Sequence, residues 1–454
     1  MTDMGTAPVM RLGGIVVLAT CAIACGARSG LDVALDAMVV AADAGTPRDA
    51  WMPAPDAGPV IPPDCGETVA IGEIRARASE IDARPAVDDD RNLYTARRVG
   101  DAWVAVSLDP CLRERWTAPI ALEGRAPRRM HVAVDDRGDV WVVADNTLEQ
   151  WRFSSTGDAL AALPPMDRRR DTWVGLEDGA GPLYSVFRST DEKWLVRADR
   201  SGAVDELRLP VPSSFVWADE CAVFAGAATC FSIAFDRAPL GVRWQVAAPT
   251  LIDGTLRHVT PPATDGTRMW AVMYGISTYD LVAIELATGA RTVRVPLMRT
   301  SAGQSELLLG PAVVAEDGTV IVYRHGSGVS GALSAHRADG SERWVFAAAR
   351  ARRSGSAGGA IFDHDATHLV GRGGLVYLAM GDTVAAVRIE DGSSAWRLDG
   401  LPDVNEPAIN LSPNGDLYVL DAERTLYAIA TGSAGLAASP WPIPGGDHRL
   451  AHAR

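Results

Sequence analysis

The chain has 454 residues, of which 47% are hydrophobic, and a formal net charge of −14 at pH 7. This length allows a large core, but it is too great for one ordinary compact domain unless the domain is built from repeated units. The acidic balance argues against nucleic acid or anionic lipid headgroups as binding partners.

Residues 1–24 are predicted to be an export signal that takes no part in the fold. Arg11 precedes an apolar run, GGIVVLATCAIA, which is too short to span a bilayer in the mature protein. The run ends at Ala24-Cys25-Gly26, which resembles the lipobox of bacterial lipoproteins. This resemblance implies cleavage before Cys25, acylation of Cys25 with palmitate-type chains, and a membrane anchor. Two alternatives are acylation at Cys21 and secretion without a lipid.

Residues 25–64 are predicted to form a disordered tether, because Pro, Ala, Asp and Gly recur there without the period of a helix or a strand. The folded domain is expected to span residues 65–454. Gly26 stands where lipoproteins retained in the inner membrane of enteric bacteria carry Asp. The expected location is therefore the cell envelope, with the outer membrane favoured over the inner membrane.

Four cysteines remain in the folded region, and an even number in an exported chain predicts disulfides. A tight turn at Ala225-Gly226 would place Cys221 opposite Cys230 on neighbouring strands, within disulfide reach. Cys65 and Cys111 then pair by elimination.

A repeated unit fills the folded region. Strands such as DVWVVA and LYVL are each followed by a polar turn and a second strand, and a further strand lies upstream of each pair. Most copies reach a turn glycine, and these are Gly157, Gly202, Gly241, Gly289, Gly340, Gly392 and Gly432. Four strands in about 40–50 residues, with no amphipathic helix, predict an all-β fold of propeller blades. Eight blades are favoured, with seven as the alternative.

A closed propeller requires its two chain ends to meet. Residues 67–81 are strand-like but belong to no complete copy, and the last copy lacks its outermost strand. We therefore expect residues 67–81 to supply that strand, with Ser439-Pro440-Trp441-Pro442 packed beside it. The Cys65–Cys111 disulfide would then fix the added strand to the first blade.

The repeats resemble those of the PQQ-type β-propeller superfamily, whose units end in a turn glycine followed by tryptophan. Asp339-Gly340 with Trp344 and Asp391-Gly392 with Trp396 have this spacing, and Trp116 and Trp244 lie at similar blade ends. The resemblance implies that these tryptophans pack between blades. It also gives the lipid-anchored outer-membrane assembly protein BamB as the nearest analogue.

The resemblance invites a quinone dehydrogenase, but the adjacent cysteine pair of such enzymes is absent from the sequence. One cluster, Asp363, His364, Asp365 and His368, contains potential metal ligands, but its spacing fits no established site, and a solvated loop is favoured. His448 and His452 are assigned to ring closure. We therefore predict no catalytic, cofactor-binding or metal-binding residues.

Two function classes remain. The favoured one is a membrane-tethered, non-catalytic binding or scaffold module for an envelope protein or glycan. The alternative is an extracytoplasmic hydrolase or lyase whose active residues lie on the blade loops.

Overall fold

The structure is a computed structural model. It describes residues 65, 69–122, 127, 130–144, 149–161, 171–177, 181–189, 192–198, 204–209, 221–224, 227–230, 233–237, 240–245, 262–274, 278–299, 307–326, 329–347, 368–402 and 408–438. In parts of the strands, chiefly between 171 and 245, the description covers the backbone alone. The described residues form strands and turns without a helix, so the all-β prediction is confirmed.

The described strands fall into eight antiparallel sheets, most of them built from four strands that are consecutive in sequence. The chain begins with β1 (Ile74–Ala78), which is considered below with the last sheet. Sheet 1 comprises β2 (Ala86–Val87), β3 (Leu93–Val99), β4 (Ala102–Leu108) and β5 (Glu114–Ile120). Sheet 2 comprises β6 (Met130–Val134), β7 (Val140–Ala144), β8 (Gln150–Phe153) and β9 (Ala159–Leu160).

The next three sheets repeat this arrangement. Sheet 3 comprises β10 (Asp171–Glu177), β11 (Gly181–Ser189), β12 (Glu192–Ala198) and β13 (Val204–Leu209). Sheet 4 comprises β14 (Cys221–Phe224), β15 (Ala227–Cys230), β16 (Ile233–Arg237) and β17 (Leu240–Gln245). Sheet 5 comprises β18 (Ala263–Thr264), β19 (Arg268–Tyr274), β20 (Thr278–Glu285) and β21 (Arg291–Arg299).

Sheet 6 departs from the pattern because two short strands, rather than one, pair with its long second strand. It comprises β22 (Leu307–Leu309), β23 (Val313–Val314), β24 (Val320–Gly326), β25 (Val329–His336) and β26 (Glu342–Ala347). Sheet 7 comprises β27 (His368–Gly371), β28 (Leu375–Met380), β29 (Thr383–Arg388) and β30 (Ser394–Asp399). The last strands are β31 (Ala408–Leu411), β32 (Asp416–Leu420) and β33 (Leu426–Ala430).

Sheet 8 is assembled from both ends of the domain, in the order β1-β33-β32-β31. The pairing of β1 with β33 is antiparallel, with Arg77 opposite Tyr427 and Ala78 opposite Leu426. Residues within 67–81 therefore supply the outermost strand of the last sheet, as the sequence predicts. An inner pair of hydrogen bonds also joins sheets 8 and 1, since Asn410 Nδ2 donates to the Pro85 carbonyl at 2.9 Å and Arg84 Nε to the Ile409 carbonyl at 3.1 Å.

The hydrophobic core lies between successive sheets. Central strands such as β7, β28 and β32 are buried along their whole length, which requires apolar cover on both faces. Separate clusters fill the spaces between sheets 1 and 2, 5 and 6, 6 and 7, and 7 and 8. A further cluster joins sheet 8 to sheet 1, where Tyr418 and Leu426 pack with Leu93 and Val106. Each fully buried Leu or Val in these clusters contributes about 1.5–3 kcal/mol.

One contact has no counterpart in the sequence analysis. The segment that follows β33 runs to β27 of sheet 7, where Leu436 bridges Gly371. A strand edge that accepts a distant segment has no local sequence pattern, so this contact has no marker in the sequence. Residues 439–442 lie outside the described part of the chain.

Candidate functional site

The sheets present two kinds of connection, on opposite edges. The turn face is the edge where the first strand of a sheet meets the second and the third meets the fourth, for example at Asp88–Asn92 and Asp109–Arg113. The crossover face is the opposite edge, where the second strand meets the third, as at Gly100, and where the chain passes to the next sheet. Antiparallel pairing fixes this division.

Acidic residues on the turn face are held by the backbone of their own turns. Asp135 Oδ1 accepts hydrogen bonds from the amides of Arg137 and Asp139 at 2.9 and 3.0 Å. Asp339 and Asp391 likewise accept from the amides two residues later, at 2.8 Å each. These contacts are Asx-type turns, and they lie in the DDRGD and EDG segments of the sequence.

Three carboxylates of the turn face accept hydrogen bonds from aromatic side chains, which the sequence did not predict. Asp88 accepts from the Tyr94 hydroxyl at 2.8 Å and Asp135 from Trp141 Nε1 at 3.1 Å, and each pair is six residues apart. Asp265 accepts from Trp270 Nε1 at 2.9 Å, with a separation of five. An acid followed five or six residues later by Tyr or Trp is the signal that would have found them.

Arginines complete two of these units. The Arg268 guanidinium lies 4.9 Å from the Trp270 ring centroid and also pairs with Asp265 at 2.8 Å. The Arg152 guanidinium lies 5.3 Å from the Trp141 ring and pairs with Asp139. Burial acts to raise the pKa of Asp265, but hydrogen bonds from Trp270, Arg268 and Thr267 outweigh it and lower that pKa. The carboxylate is thereby held ionised as a structural acceptor and is a poor general acid.

A buried ion pair lies within sheet 8. Arg75 interrupts the register of β1 as a bulge residue, and its Nη1 lies 2.7 Å from Asp416 Oδ1 on β32. The two side chains are only 8% and 3% exposed. Burial raises the pKa of Asp416, and the Arg75 charge opposes this shift. A pair so deeply buried ties the position of the first strand to the last sheet, since losing either partner leaves an isolated buried charge.

The predicted tryptophans pack against the sheet that follows their own. Trp116 of sheet 1 covers Gly157 of sheet 2, where an added Cβ would lie 2.8 Å from the indole, and its Nε1 donates to the Ser155 carbonyl at 3.0 Å. Trp344 covers Gly392 in the same way and donates to the Ile389 carbonyl at 2.7 Å. Both indoles therefore lie between their own sheet and the next one.

The remaining positions of this series extend the pattern. Val293 and Val295 of sheet 5 take the place of the indole over Gly340. Trp396 of sheet 7 covers Gly72, which lies two residues before β1 and donates its amide hydrogen to the Ala430 carbonyl at 2.7 Å. The N-terminal segment thus supplies both the outer strand of sheet 8 and the glycine that Trp396 covers. The side chain of Trp244 lies outside the described residues.

The Cys65–Cys111 disulfide is present, with the two Cα atoms 5.5 Å apart. Cys111 lies in the turn between β4 and β5, so the bond attaches the start of the domain to the turn face of sheet 1.

The backbone register of sheet 4 places Cys221 directly opposite Cys230, as the sequence predicts. Their side chains lie outside the described residues, and the disulfide between them stays a prediction. Peptide mapping of unreduced protein should recover a fragment containing Cys221 linked to Cys230, because directly opposed strand residues are within disulfide reach. Free thiols at both positions would contradict the prediction.

His368, from the candidate metal cluster, lies on β27 and is fully buried, with Nε2 3.3 Å from the Ile321 carbonyl of sheet 6. This contact makes it a packing residue between two sheets. Asp363, His364 and Asp365, together with the tail residues His448 and His452, lie outside the described residues. In the part of the chain that the structure describes, no three His, Cys, Asp or Glu side chains come together as a metal site would require.

Burial lowers the pKa of His368 to about 4. The imidazole is therefore neutral in the folded protein, whereas it is protonated below about pH 6.5 in the unfolded chain. The contribution of His368 to the free energy of unfolding therefore has its full value above pH 6.5 and decreases as the pH falls towards 4. At pH 5 the decrease is about 2 kcal/mol. Urea unfolding at pH 7.5 and 5 should show this loss in the native protein but not in His368→Phe. An equal loss in both proteins would contradict the assignment.

The chain has no match among protein-family profiles or curated proteins. Among solved structures it resembles the Dos1 propeller, with a TM-score of 0.53, 10% identity, and coverage of 80% of this chain and 96% of that one. It also aligns with a streptogramin B lyase at a TM-score of 0.40 and 12% identity, covering 78% of this chain and 96% of that one. An inactive virginiamycin B lyase from Staphylococcus aureus with quinupristin gives 0.41 and 10%, covering 78% and 95%.

The Dos1 alignment and the successive four-stranded sheets identify the fold as a β-propeller. At 10% identity the likeness concerns the fold alone. Among the described residues no helix is long and apolar enough to cross a membrane.

Proposed function

We propose that this chain is an exported, lipid-anchored β-propeller of eight closed blades that serves as a non-catalytic binding or scaffold module for an envelope protein or glycan. The observation that carries the proposal is the construction of sheet 8, in which the strand nearest the tether is built into the last sheet. A strand held in the last sheet by these pairings joins the start of the folded domain to its end.

Several contacts support closure of the ring. The inner strand β2 contacts both β6 of the next sheet and β31 of the last, so sheet 1 has a neighbour on each side. The cluster between sheets 8 and 1 resembles those between consecutive sheets. Closure also removes the exposed apolar faces that an open row of sheets would leave at its ends. Each described sheet then corresponds to one blade.

Membership of the PQQ-type group is part of the same proposal. It is supported by the glycine–tryptophan contacts at Gly157, Gly392 and Gly72, which join one sheet to the next. Three described residues of the kinds used in catalysis have structural contacts: Asp135 binds Trp141, Asp339 holds its own turn, and His368 packs between two sheets. These contacts support a structural role for the three residues, and the proposal assigns the function of the domain to its exposed surface.

The lipid anchor is tested by metabolic labelling. The mature protein should incorporate radioactive palmitate and fractionate with membranes, because Ala24-Cys25-Gly26 follows an apolar signal run. Cys25→Ser should abolish the label and move the protein to the soluble fraction, while Cys21→Ser should leave both unchanged. Loss of label in Cys21→Ser but not in Cys25→Ser would place the anchor at Cys21. Absence of label from all three proteins would remove the anchor from the proposal.

The binding role is tested on intact envelopes. Crosslinking through a photoreactive amino acid should capture the same partner from several positions on one face of the ring. An enzyme would instead turn over a small substrate without stable capture. Binding of the purified partner to the purified propeller, measured by calorimetry, is the required confirmation.

A further inference from the structure

Several turns of the propeller use both oxygens of an aspartate in the same way. In the β2–β3 turn, Asp88 Oδ1 accepts a hydrogen bond from the amide of Asn92, four residues later, at 2.7 Å. Its Oδ2 accepts from the hydroxyl of Tyr94, six residues later, at 2.8 Å. Asp135 in the β6–β7 turn and Asp421 in the β32–β33 turn make the same two contacts at the same spacing. One oxygen thus closes the turn, and the other satisfies a buried aromatic side chain.

The β31–β32 turn of sheet 8 has serine at the position of this aspartate. Ser412 lies four residues before Asp416 and six before Tyr418, and its Oγ accepts from the Asp416 amide at 2.9 Å. Serine has a single side-chain oxygen, so the turn is closed but the aromatic side chain receives no acceptor. Tyr418 is fully buried, and its hydroxyl has no hydrogen-bond partner in the described part of the chain. Burying a hydroxyl in this way is unfavourable unless something accepts its proton.

Two arginines lie beside this hydroxyl. Arg75 Nη1 pairs with Asp416, but its Nε is buried and has no partner among the residues that the structure describes. Arg91, from the β2–β3 turn of sheet 1, is close enough for its charge to act on both Asp416 and Tyr418. Burial raises the pKa of Tyr418 well above its usual value, so the hydroxyl keeps its proton and remains a donor. Two positive charges therefore face the single carboxylate of Asp416.

A second carboxylate near Tyr418, that of Asp109, does not supply the acceptor. Its Oδ1 accepts from the amides of Cys111 and Arg113 at 2.8 and 2.9 Å. Its Oδ2 pairs with Arg113 Nε at 2.7 Å. The charge of Asp109 is therefore balanced within its own turn, and the charge around Tyr418 remains positive by one unit.

Sheet 2 shows that a further carboxylate can be accommodated in such surroundings. There Asp139 forms an ion pair with Arg152, and the Asp135 carboxylate still binds the indole of its sheet. Asp135 and Asp139 stand at the turn positions that Ser412 and Asp416 occupy in sheet 8.

We propose that one small monovalent anion, of the size and charge of formate, binds between sheets 8 and 1 beside Tyr418. The anion accepts hydrogen bonds from the Tyr418 hydroxyl and from Arg75 Nε, and Arg91 supplies the second positive charge. It takes the place of the carboxylate that Asp88 provides in its own turn. Because the donors are buried, only an anion of a few atoms fits. Such a ligand binds the folded chain alone and stabilises the contact of the last sheet with the first.

Thermal unfolding in formate tests the site. Full-length protein is held at pH 7.5 in sodium gluconate, which is replaced stepwise by sodium formate at constant ionic strength. Gluconate has the same charge but is too large for a buried site. The melting temperature should rise by about 2–4 °C between 1 and 100 mM formate. Saturation transfer from the protein to the formate proton, measured by nuclear magnetic resonance, reports binding directly.

Three variants and a control identify the site. Ser412→Asp adds the carboxylate of the other turns, so it should raise the melting temperature in gluconate and abolish the response to formate. Tyr418→Phe removes the buried donor and should weaken formate binding at least tenfold without lowering the melting temperature in gluconate. Arg91→Asn should also weaken binding, and asparagine tolerates the φ of +71° at this position. Tyr427→Phe is the matched control, because Tyr427 already has Asp421 as its acceptor and its loss should leave formate binding unchanged.

A melting temperature that does not respond to formate would overturn the site. An equal response in the native protein and in all variants would show a general salt effect and would overturn it as well. If Ser412→Asp does not fold, saturation transfer in Tyr418→Phe decides. Loss of transfer there, with transfer retained in Tyr427→Phe, supports the site, and transfer at the native level in Tyr418→Phe overturns it.

Discussion

Deletion of residues 66–82 should lower the melting temperature by more than about 10 °C and broaden the transition. The deletion removes β1, and with it the outer strand of sheet 8 and the glycine under Trp396. It also leaves Asp416 buried without Arg75, which by itself costs about 3–5 kcal/mol. The disulfide that closes the 46-residue separation between Cys65 and Cys111 would no longer restrain that strand, and such a bond contributes about 4 kcal/mol.

Deletion of residues 27–60 is the matched control. It removes more residues, but they belong to the predicted tether, so the melting temperature should stay that of the full-length protein. Thermal unfolding followed by circular dichroism in the far ultraviolet would compare the three proteins. Equal melting of both deletions would contradict the proposed closure of the ring through β1.

Gly392→Ala should destabilise the protein by about 3–5 kcal/mol, the largest expected effect of a single methyl group. Gly392 has a φ of +76°, where any side chain is strained, and its added Cβ would lie 2.8 Å from Cδ2 of the Trp344 indole. The ring would have to move, which breaks the bond from Trp344 Nε1 to the Ile389 carbonyl and opens the packing between sheets 6 and 7.

Gly373→Ala separates the two causes. Gly373 has a φ of +83°, but an added Cβ would meet nothing within 4 Å. Its substitution should therefore cost only the backbone strain, about 1–2 kcal/mol. Urea unfolding of both variants gives the difference that belongs to the glycine–tryptophan contact. Equal destabilisation would show that the indole yields freely and that the contact contributes nothing to the joining of the sheets.

Most of the sheet architecture could be predicted from the sequence because each unit carries its own markers. Strand periodicity, turn glycines and Asx turns are local features, and they repeat along the chain. The role of residues 67–81 was predictable by a different argument. These residues are strand-like but belong to no complete unit, and the last unit lacks one strand, so the segment can complete that unit. The opposition of Cys221 and Cys230 followed from a single tight turn.

The features that were missed depend on distant contacts. The second short strand of sheet 6 and the pairing of Leu436 with Gly371 use free edges, which attract a segment by hydrogen bonds of the backbone and leave no trace in side-chain pattern. The bond between Asp135 and Trp141 was missed because backbone hydrogen bonds alone accounted for the acidic turns. His368 was placed in a loop cluster because its burial depends on a neighbouring sheet.

The pairing of β1 with β33 also sets an order of events during synthesis. The ribosome makes β1 first, and its partner is completed about 350 residues later, so β1 spends the whole of chain elongation without its sheet. An unpaired apolar strand would aggregate during that time. The sequence of β1, IRARA, alternates arginine with apolar residues, and the charges discourage pairing with other chains. The strand whose partner is made last thus carries charges that reduce its aggregation while it is unpaired.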